Sequence, residues 1–511
     1  MVMMTLLERE TVKHAHVLRS TLRPRGAAVA AGSIALSLAM APLGPGPAQA
    51  QAPATTLPAK PSTALALPST ASVLPAAQDN LSLAWAIPNY PVGRQLRWLL
   101  GAFTKASVPT AELKAHFDAS FLAAAPPAVL NADLGALRFR APLRVTYLDA
   151  GLTASALEGG LASGAAEYSF IMSVDSQGLI SGLRLGRSPA LPATPTSWAG
   201  LDAQLRSLAP GVGFLAATIA PPTARGKGSS CHVLNSLSAT TARPLGSMFK
   251  LYVLSTVASE VRSGRLSWSK EVPLTAGLRS LPSGFLQIVP AGSTYTVSQL
   301  AQIMMPGSDN TAADRLMALA GRSAIEAQVA TTSAHASLDD PFLRTRELFV
   351  LKYAGYPKYA NAYLELPAPK RTAYLDNVVD RVPLSAVDLT AATGAPRDIG
   401  SIEWFASPSD ICSLYSQLYA YASSPSLAPI SSALSYNDGG IGLSRTTWPL
   451  VWFKGGSEQG VLTLGFLARR ADGTVAVVTV LLSDPAKSIP AEVTLKALAD
   501  AHAAFGLVPA S

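Results

Sequence analysis

Pro244-Leu245-Gly246-Ser247-Met248-Phe249-Lys250-Leu251-Tyr252-Val253-Leu254 is the stretch that decides the fold. A Pro-Leu-Gly turn delivers Ser247, and the apolar run Leu251 to Leu254, with Val257, predicts a buried helix behind it. A serine at a helix start and a lysine three residues on share one face, so a hydroxyl and an amine come within reach of each other. The first backbone amides add a positive end where an oxyanion can form. The spacing alone is weak, since Ser267-Trp268-Ser269-Lys270 repeats it. That copy follows Gly264-Arg265 in a polar turn with no apolar helix after it, and reads as surface.

Two further clusters follow, Ser308-Asp309-Asn310 and Lys454-Gly455-Gly456-Ser457. Ser435-Tyr436-Asn437 repeats the Ser-x-Asn pattern but follows no helical element. The chemistry assigns roles. Ser247 Oγ is a poor nucleophile at its free pKa and needs a base. Lys250 serves if burial and neighbouring cations depress its pKa. Ser308 can pass a proton to a leaving amide nitrogen. Asn310 can hold a substrate amide and the Lys250 amine. Lys454 supplies positive charge for a substrate carboxylate and helps Ser308 shed its proton. Asp309 is expected to cap the helix that begins at Thr311.

These three clusters, in this order, resemble the active site of the serine β-lactamase and penicillin-binding-protein superfamily, class A in particular. The resemblance implies acyl transfer through Ser247, with Ser247 and Ser457 N–H groups as oxyanion hole and Gly456 and Ser457 on the substrate side. Two departures stand out. The usual Lys-Thr-Gly is Lys-Gly-Gly here; a threonine hydroxyl is lost, glycine is expected to open the pocket, and Ser457 is the available substitute. The interval from Ser308 to Lys454 is longer than in simple class A enzymes, with the excess around 351–401 and a helix-like run over 371–379. That region carries the deacylating glutamate in class A. Glu347 and Glu403 are the nearby candidates, but neither has the expected Glu-x-x-Leu-Asn setting, and a structural ion pair or solvated carboxylate is the plainer reading of both.

Around this site the chain organises as two folded regions. Residues 1–50 read as a signal peptide: Lys13, Arg19, Arg23 and Arg25 are basic, 26–43 are apolar, and Ala48-Gln49-Ala50 fits a cleavage site. Secretion follows, with no stable membrane insertion after cleavage. Residues 51–79, rich in Ala, Pro, Thr and Ser, read as a disordered linker. A first domain, 80–187, is expected to hold two helices (92–103 and 110–121), then strands at 137–139, 143–148, 168–174 and 179–185, with Asp175-Ser176-Gln177-Gly178 as a hairpin turn. This α+β order resembles a small cone-shaped steroid-isomerase-like domain, read as accessory or substrate-shaping. After a Pro-rich linker, 188–196, a second domain spans 197–511. A helix over 198–208 and strands over 212–219 and 231–237 precede the motif helix. Strands over 461–468 and 474–482 and a helix over 491–505 end the chain. Strands from both ends around a helical middle predict one antiparallel sheet packed with helices. The resemblance makes this a β-lactamase-like domain with helices on both faces and an all-helical subdomain. The pair of domains resembles the two-domain β-lactamase-like proteins encoded with clavulanic acid biosynthesis, for which weak β-lactamase or esterase activity is implied.

Composition closes off other classes. The net charge of +8 is scattered, with no Lys/Arg run interleaved with aromatics, so nucleic acid is not an expected partner. No Gly-x-Ser-x-Gly elbow is present. His116, His232, His335 and His502 lack paired zinc spacing, so no metal or other cofactor is expected. Cys231 and Cys412 either pair, as an exported protein allows, or stay as two buried thiols. The expectation is an exported serine hydrolase acting on a small molecule, forming an acyl-enzyme on Ser247 and hydrolysing β-lactam amides. The alternatives are a D-Ala-D-Ala peptidase or small-ester hydrolase that β-lactams only acylate, and a non-catalytic protein binding β-lactam or peptidoglycan.

Overall fold

The computed structural model describes residues 87, 91–138, 142–149, 156–163, 166–175, 177–187, 193–219, 231–389 and 391–509. The signal peptide and the first linker lie outside the described residues. Among those residues no helix is long and apolar enough to cross a membrane.

The first region is α+β. Helices α1 (Pro91–Ala102), α2 (Thr110–His116), α3 (Ala119–Ala124) and α4 (Pro127–Arg138) precede strands β1 (Arg144–Asp149), β2 (Ala156–Ser163), β3 (Ala166–Val174) and β4 (Ile180–Arg187). The strands form an antiparallel meander in chain order. On α1, Val92, Leu96 and Leu99 are buried at helical spacing, and Phe103 just past its end continues the buried face. On β3, Tyr168, Phe170, Met172 and Val174 are buried while Ile171 is exposed, a period of two that leaves one face on the core. The expected single helix over 110–121 is broken, because the Asp118 carboxylate accepts from Phe121 N and starts α3 anew. Leu137, expected in a strand, ends α4 instead. Its leucine-and-alanine-rich turn favours helix, and the two-residue apolar pattern was too short to decide. Strand β2 went unread because Gly159-Gly160 has little strand propensity; its pairing with β1 and β3 supplies the order.

The second region is built on a five-stranded antiparallel sheet. Helix α5 (Trp198–Arg206) leads into β5 (Gly211–Ile219) and β6 (Cys231–Leu237). The helical middle follows: α6 (Lys250–Arg262), α7 (Val297–Met304), α8 (Asn310–Ala320), α9 (Arg322–Val329), α10 (Thr345–Tyr353), α11 (Lys358–Leu364), α12 (Ala368–Asn377), α13 (Pro408–Ala422) and α14 (Pro429–Leu434). Strands β7 (Leu450–Glu458), β8 (Val461–Arg469) and β9 (Val475–Ser483) and helix α15 (Ala491–Gly506) end it. Sheet order is β7-β8-β9-β5-β6, so strands from both ends of the region meet at β9 and β5. Strand β9 is buried throughout, which requires cover on both faces. Val475, Val477 and Leu481 join the core of α6 and α13, while Ala476, Val478, Val480 and Leu482 join that of α15. Cys231 and Cys412 are bonded, tying the edge strand β6 to α13. The longer interval is indeed helical: α11 and α12 occupy it, the latter three residues ahead of the expected start.

Candidate active site

The nucleophile turn is a one-turn 3-10 helix, Gly246–Phe249, that runs directly into α6. Gly246 adopts φ +50°, a conformation glycine reaches without the Cβ penalty. Behind the turn, Phe249 stacks on Trp404 with ring centroids 3.7 Å apart. The Thr463 hydroxyl donates to Leu245 O at 2.8 Å and Gly456 O at 3.2 Å, fastening the turn to the sheet.

Three predicted site residues converge on a fourth. Lys250 Nζ lies 3.0 Å from Ser247 Oγ, 3.3 Å from Ser308 Oγ and 2.7 Å from Asn310 Oδ1. The lysine is fully buried. Burial first, then the nearby Lys454 ammonium, hold its pKa well below the usual lysine value, while more distant carboxylates (Asp309, Asp314, Glu403) pull the other way. A neutral amine has two N–H donors and one lone pair. Donation to Asn310 Oδ1 and Ser308 Oγ leaves that lone pair for the Ser247 O–H.

Ser308 sits between two amines, with Lys454 Nζ 3.2 Å from its Oγ on the other side. It holds φ +48°, in the left-handed region, and its carbonyl accepts from Ser283 Oγ at 2.9 Å. Asp309 caps α8 as expected, accepting from Ala312 N, and its other oxygen accepts from Phe285 N and Leu286 N; the helix starts at Asn310, one residue early. Asn310 Oδ1 accepts from Lys250, and its Nδ2 donates one of its two N–H bonds to Leu281 O at 2.8 Å.

The third cluster lies on β7, beside the turn. Lys454 is buried, and its Nζ also donates to Gly455 O at 2.6 Å. A Cβ on Gly456 would fall 2.5 Å from Ser247 N, so only glycine lets the strand approach this closely. A Cβ on Gly246 would in turn lie 3.1 Å from Ser457 N. The Gly246–Ser247 backbone and the Gly456–Ser457 backbone therefore lie against each other. Gly455 does not open the pocket as expected. A Cβ there would meet the Phe453 ring at 2.8 Å, so this aromatic fills the room a threonine side chain would take.

Neither candidate deacylating glutamate reaches Ser247 Oγ in these contacts. Glu347 is fully buried and held by Arg322 at 2.6 Å and Arg344 at 2.9 Å, the ion-pair alternative. Asp376 and Asp380 join the same arginines. Glu403 lies behind the turn, where its Oε2 accepts from Gly246 N and Trp404 N, both at 3.0 Å. Thr463, Lys352 and Glu458 were overlooked in the sequence. A lysine inside the apolar run Leu348 to Tyr353 of α10 was the one available signal. The copies Ser267 and Lys270 are exposed in a turn, as read.

Comparison with known proteins agrees with the motifs. Residues 234–353 match the model of the Beta-lactamase enzyme family. Residues 87–180 match the model described as ORF 12 gene product N-terminal. No curated protein matches the chain. Among solved structures it is similar to the β-lactamase from Sphaerobacter thermophilus DSM 20745, at 18% identity over 62% of this chain and 99% of that one, with a TM-score of 0.40. It is also similar to a β-lactamase from Chitinophaga pinensis DSM 2588, at 16% identity over 60% and 97%, TM-score 0.39. A third is PBP-A, solved as the L158E acyl-enzyme complex with penicillin G, at 16% identity over 61% and 97%, TM-score 0.38. The superfamily resemblance is thus shown for the segment that carries Ser247, Lys250, Ser308 and Asn310; Lys454 lies beyond it.

Proposed function

We propose that this chain is an exported serine hydrolase that forms an acyl-enzyme on Ser247 and opens β-lactam amides. The observation that carries this is Lys250: an amine buried among neutral oxygens, its pKa depressed, 3.0 Å from the Ser247 hydroxyl. Lys250 takes the Ser247 proton as Oγ attacks the carbonyl carbon. The tetrahedral oxyanion forms in the space between Ser247 N and Ser457 N. As the carbon–nitrogen bond breaks, the proton passes from Lys250 through Ser308 to the leaving nitrogen. Lys454 favours that relay electrostatically and attracts the substrate carboxylate. Deacylation needs a water deprotonated near the ester, with the Ser247 oxygen regaining a proton.

One observation favours a second reading, an ester hydrolase or peptidase that β-lactams acylate but leave slowly. Glu347 and Glu403 are both taken up by other partners, so Lys250 is the base at hand for both steps. The first region would shape access for a small-molecule substrate.

Intact-protein mass followed over time with penicillin G, with product analysis alongside, tests this. Hydrolysed drug with a fleeting adduct supports the β-lactamase reading. A lasting adduct supports the second. In either case Ser247→Ala must lose the adduct; an adduct that survives the substitution, or a parent that neither labels nor hydrolyses, defeats both.

A further inference from the structure

Three ionisable side chains that the acyl-transfer scheme leaves idle meet just behind the oxyanion space. Lys352 Nζ on α10 is fully buried, 2.6 Å from Glu458 Oε1 and 3.8 Å from Glu403 Oε1. Glu403 and Glu458 side chains are nearly as buried. Burying three charged groups is costly, and a buried ion cluster seldom stabilises more than apolar packing of the same volume. Its location suggests what it does.

Glu403 touches the nucleophile turn itself, and Glu458 is the chain neighbour of Ser457. Glu403 Oε2 accepts from Gly246 N, which fixes the Leu245–Gly246 peptide, one unit before the amide that carries Ser247 N. Gly246, at φ +50°, has no side chain to restrain its own torsions. Glu458 directly follows Ser457 at the end of β7, where the ladder to β8 stops. Its carboxylate is drawn inward to Lys352. A single ammonium therefore links the turn carrying one N–H donor to the strand end carrying the other. Burial, then Glu458, push the Glu403 carboxyl up to about 8, with Lys352 opposing. The Glu403 oxygen still accepts from Gly246 N in either state.

Building on the acyl-enzyme reading above, we propose that Lys352, Glu403 and Glu458 are positioning residues that clamp the nucleophile turn to the end of β7 and hold the Ser247 and Ser457 N–H groups on the oxyanion. They touch no reacting atom. Loss of one link lets the two donors drift apart, which weakens the tetrahedral state more than initial substrate binding.

The test uses the full chain, with penicillin G and p-nitrophenyl acetate as acyl donors and phenylboronic acid as a tetrahedral mimic. Glu403→Ala and Glu458→Ala should each slow acylation about tenfold or more, with KM changed less than about twofold, given how steeply rate depends on donor placement. Phenylboronic acid inhibition should weaken in the same proportion as the rate. Glu403→Gln, whose amide oxygen can still accept from Gly246 N, should restore most of the rate. If Glu403→Ala fails to fold, Glu458→Ala decides alone. Alanine variants that acylate like the parent, or a fall in rate without weaker boronate binding, overturn the clamp while leaving Ser247 chemistry intact. A parent that neither donor acylates overturns the acyl-enzyme reading and the clamp with it.

Discussion

Lys250 and Lys352 are the same residue at the same depth: both are fully buried, and they stand on neighbouring sides of one turn. Their surroundings differ in kind. Lys250 faces two hydroxyls and an amide oxygen, all neutral, with a second ammonium beyond Ser308. Lys352 faces two carboxylates. Burial disfavours an ammonium in either place, and only opposite charge at close range offsets that cost. Partner chemistry, more than depth, makes one lysine a base and the other a strut.

The largest expected effect separates the two by swapping each for methionine. Lys250→Met should slow acylation about 10²- to 10⁴-fold, the usual contribution of a positioned base. Lys352→Met should leave far more acylation but lower stability by about 3–5 kcal/mol, because two carboxylates are left facing each other in the interior. Urea midpoints and acylation rates on the same preparations would check both. If the two variants lose rate and stability in the same proportions, the distinction between base and strut is wrong.

A second effect sharpens the base half. Lys250 must be neutral to accept the Ser247 proton, so acylation should rise with pH through its folded pKa, well below the ordinary lysine value, and fall as acid charges it. Lys454 is one source of that depression. Lys454→Met should therefore move the rising limb to higher pH, beyond any loss of substrate affinity. A limb that stays in place, measured as acylation rate against pH, would mean that burial alone sets the Lys250 pKa.

How much of this was legible beforehand follows the same division. Ser247, Lys250, Ser308 and Lys454 stood out because turns and an apolar helix frame them, and the structure brings all four together. The sheet was legible from apolar runs at both ends of the second region, and β6 falls on its expected bounds. For Glu403 a structural carboxylate was the plainer reading, but nothing local says that it points behind the turn at Gly246 N. Lys352 and Glu458 are joined across 106 residues, a pairing no local pattern carries. Phe453 looked like one more strand aromatic; only the pleat shows that it fills the place beside Gly455. In the first region, β2 and the helices α3 and α4 lacked strong periodicity, and tertiary pairing decided them.

The smallest effect on activity, none, belongs to a third buried charge that has neither kind of partner. Asp500 on α15 is 1% exposed, and neither carboxylate oxygen has a hydrogen bond. Burial alone pushes its carboxyl up to about 7 from 3.8. The folded state therefore binds a proton that the unfolded state releases between those values. Stability should fall as pH rises from about 4 to about 7 and stay low above that. Asp500→Asn removes the titration. It should match the parent near pH 4 and exceed it by about 1–3 kcal/mol at pH 8, with acylation of Ser247 unchanged, since α15 packs on the sheet face away from the nucleophile turn. Urea midpoints at the two pH values would check it. A variant that tracks the parent at both would mean that Asp500 finds a partner on ionising, which would move it from the orphan class toward the strut that Lys352 represents.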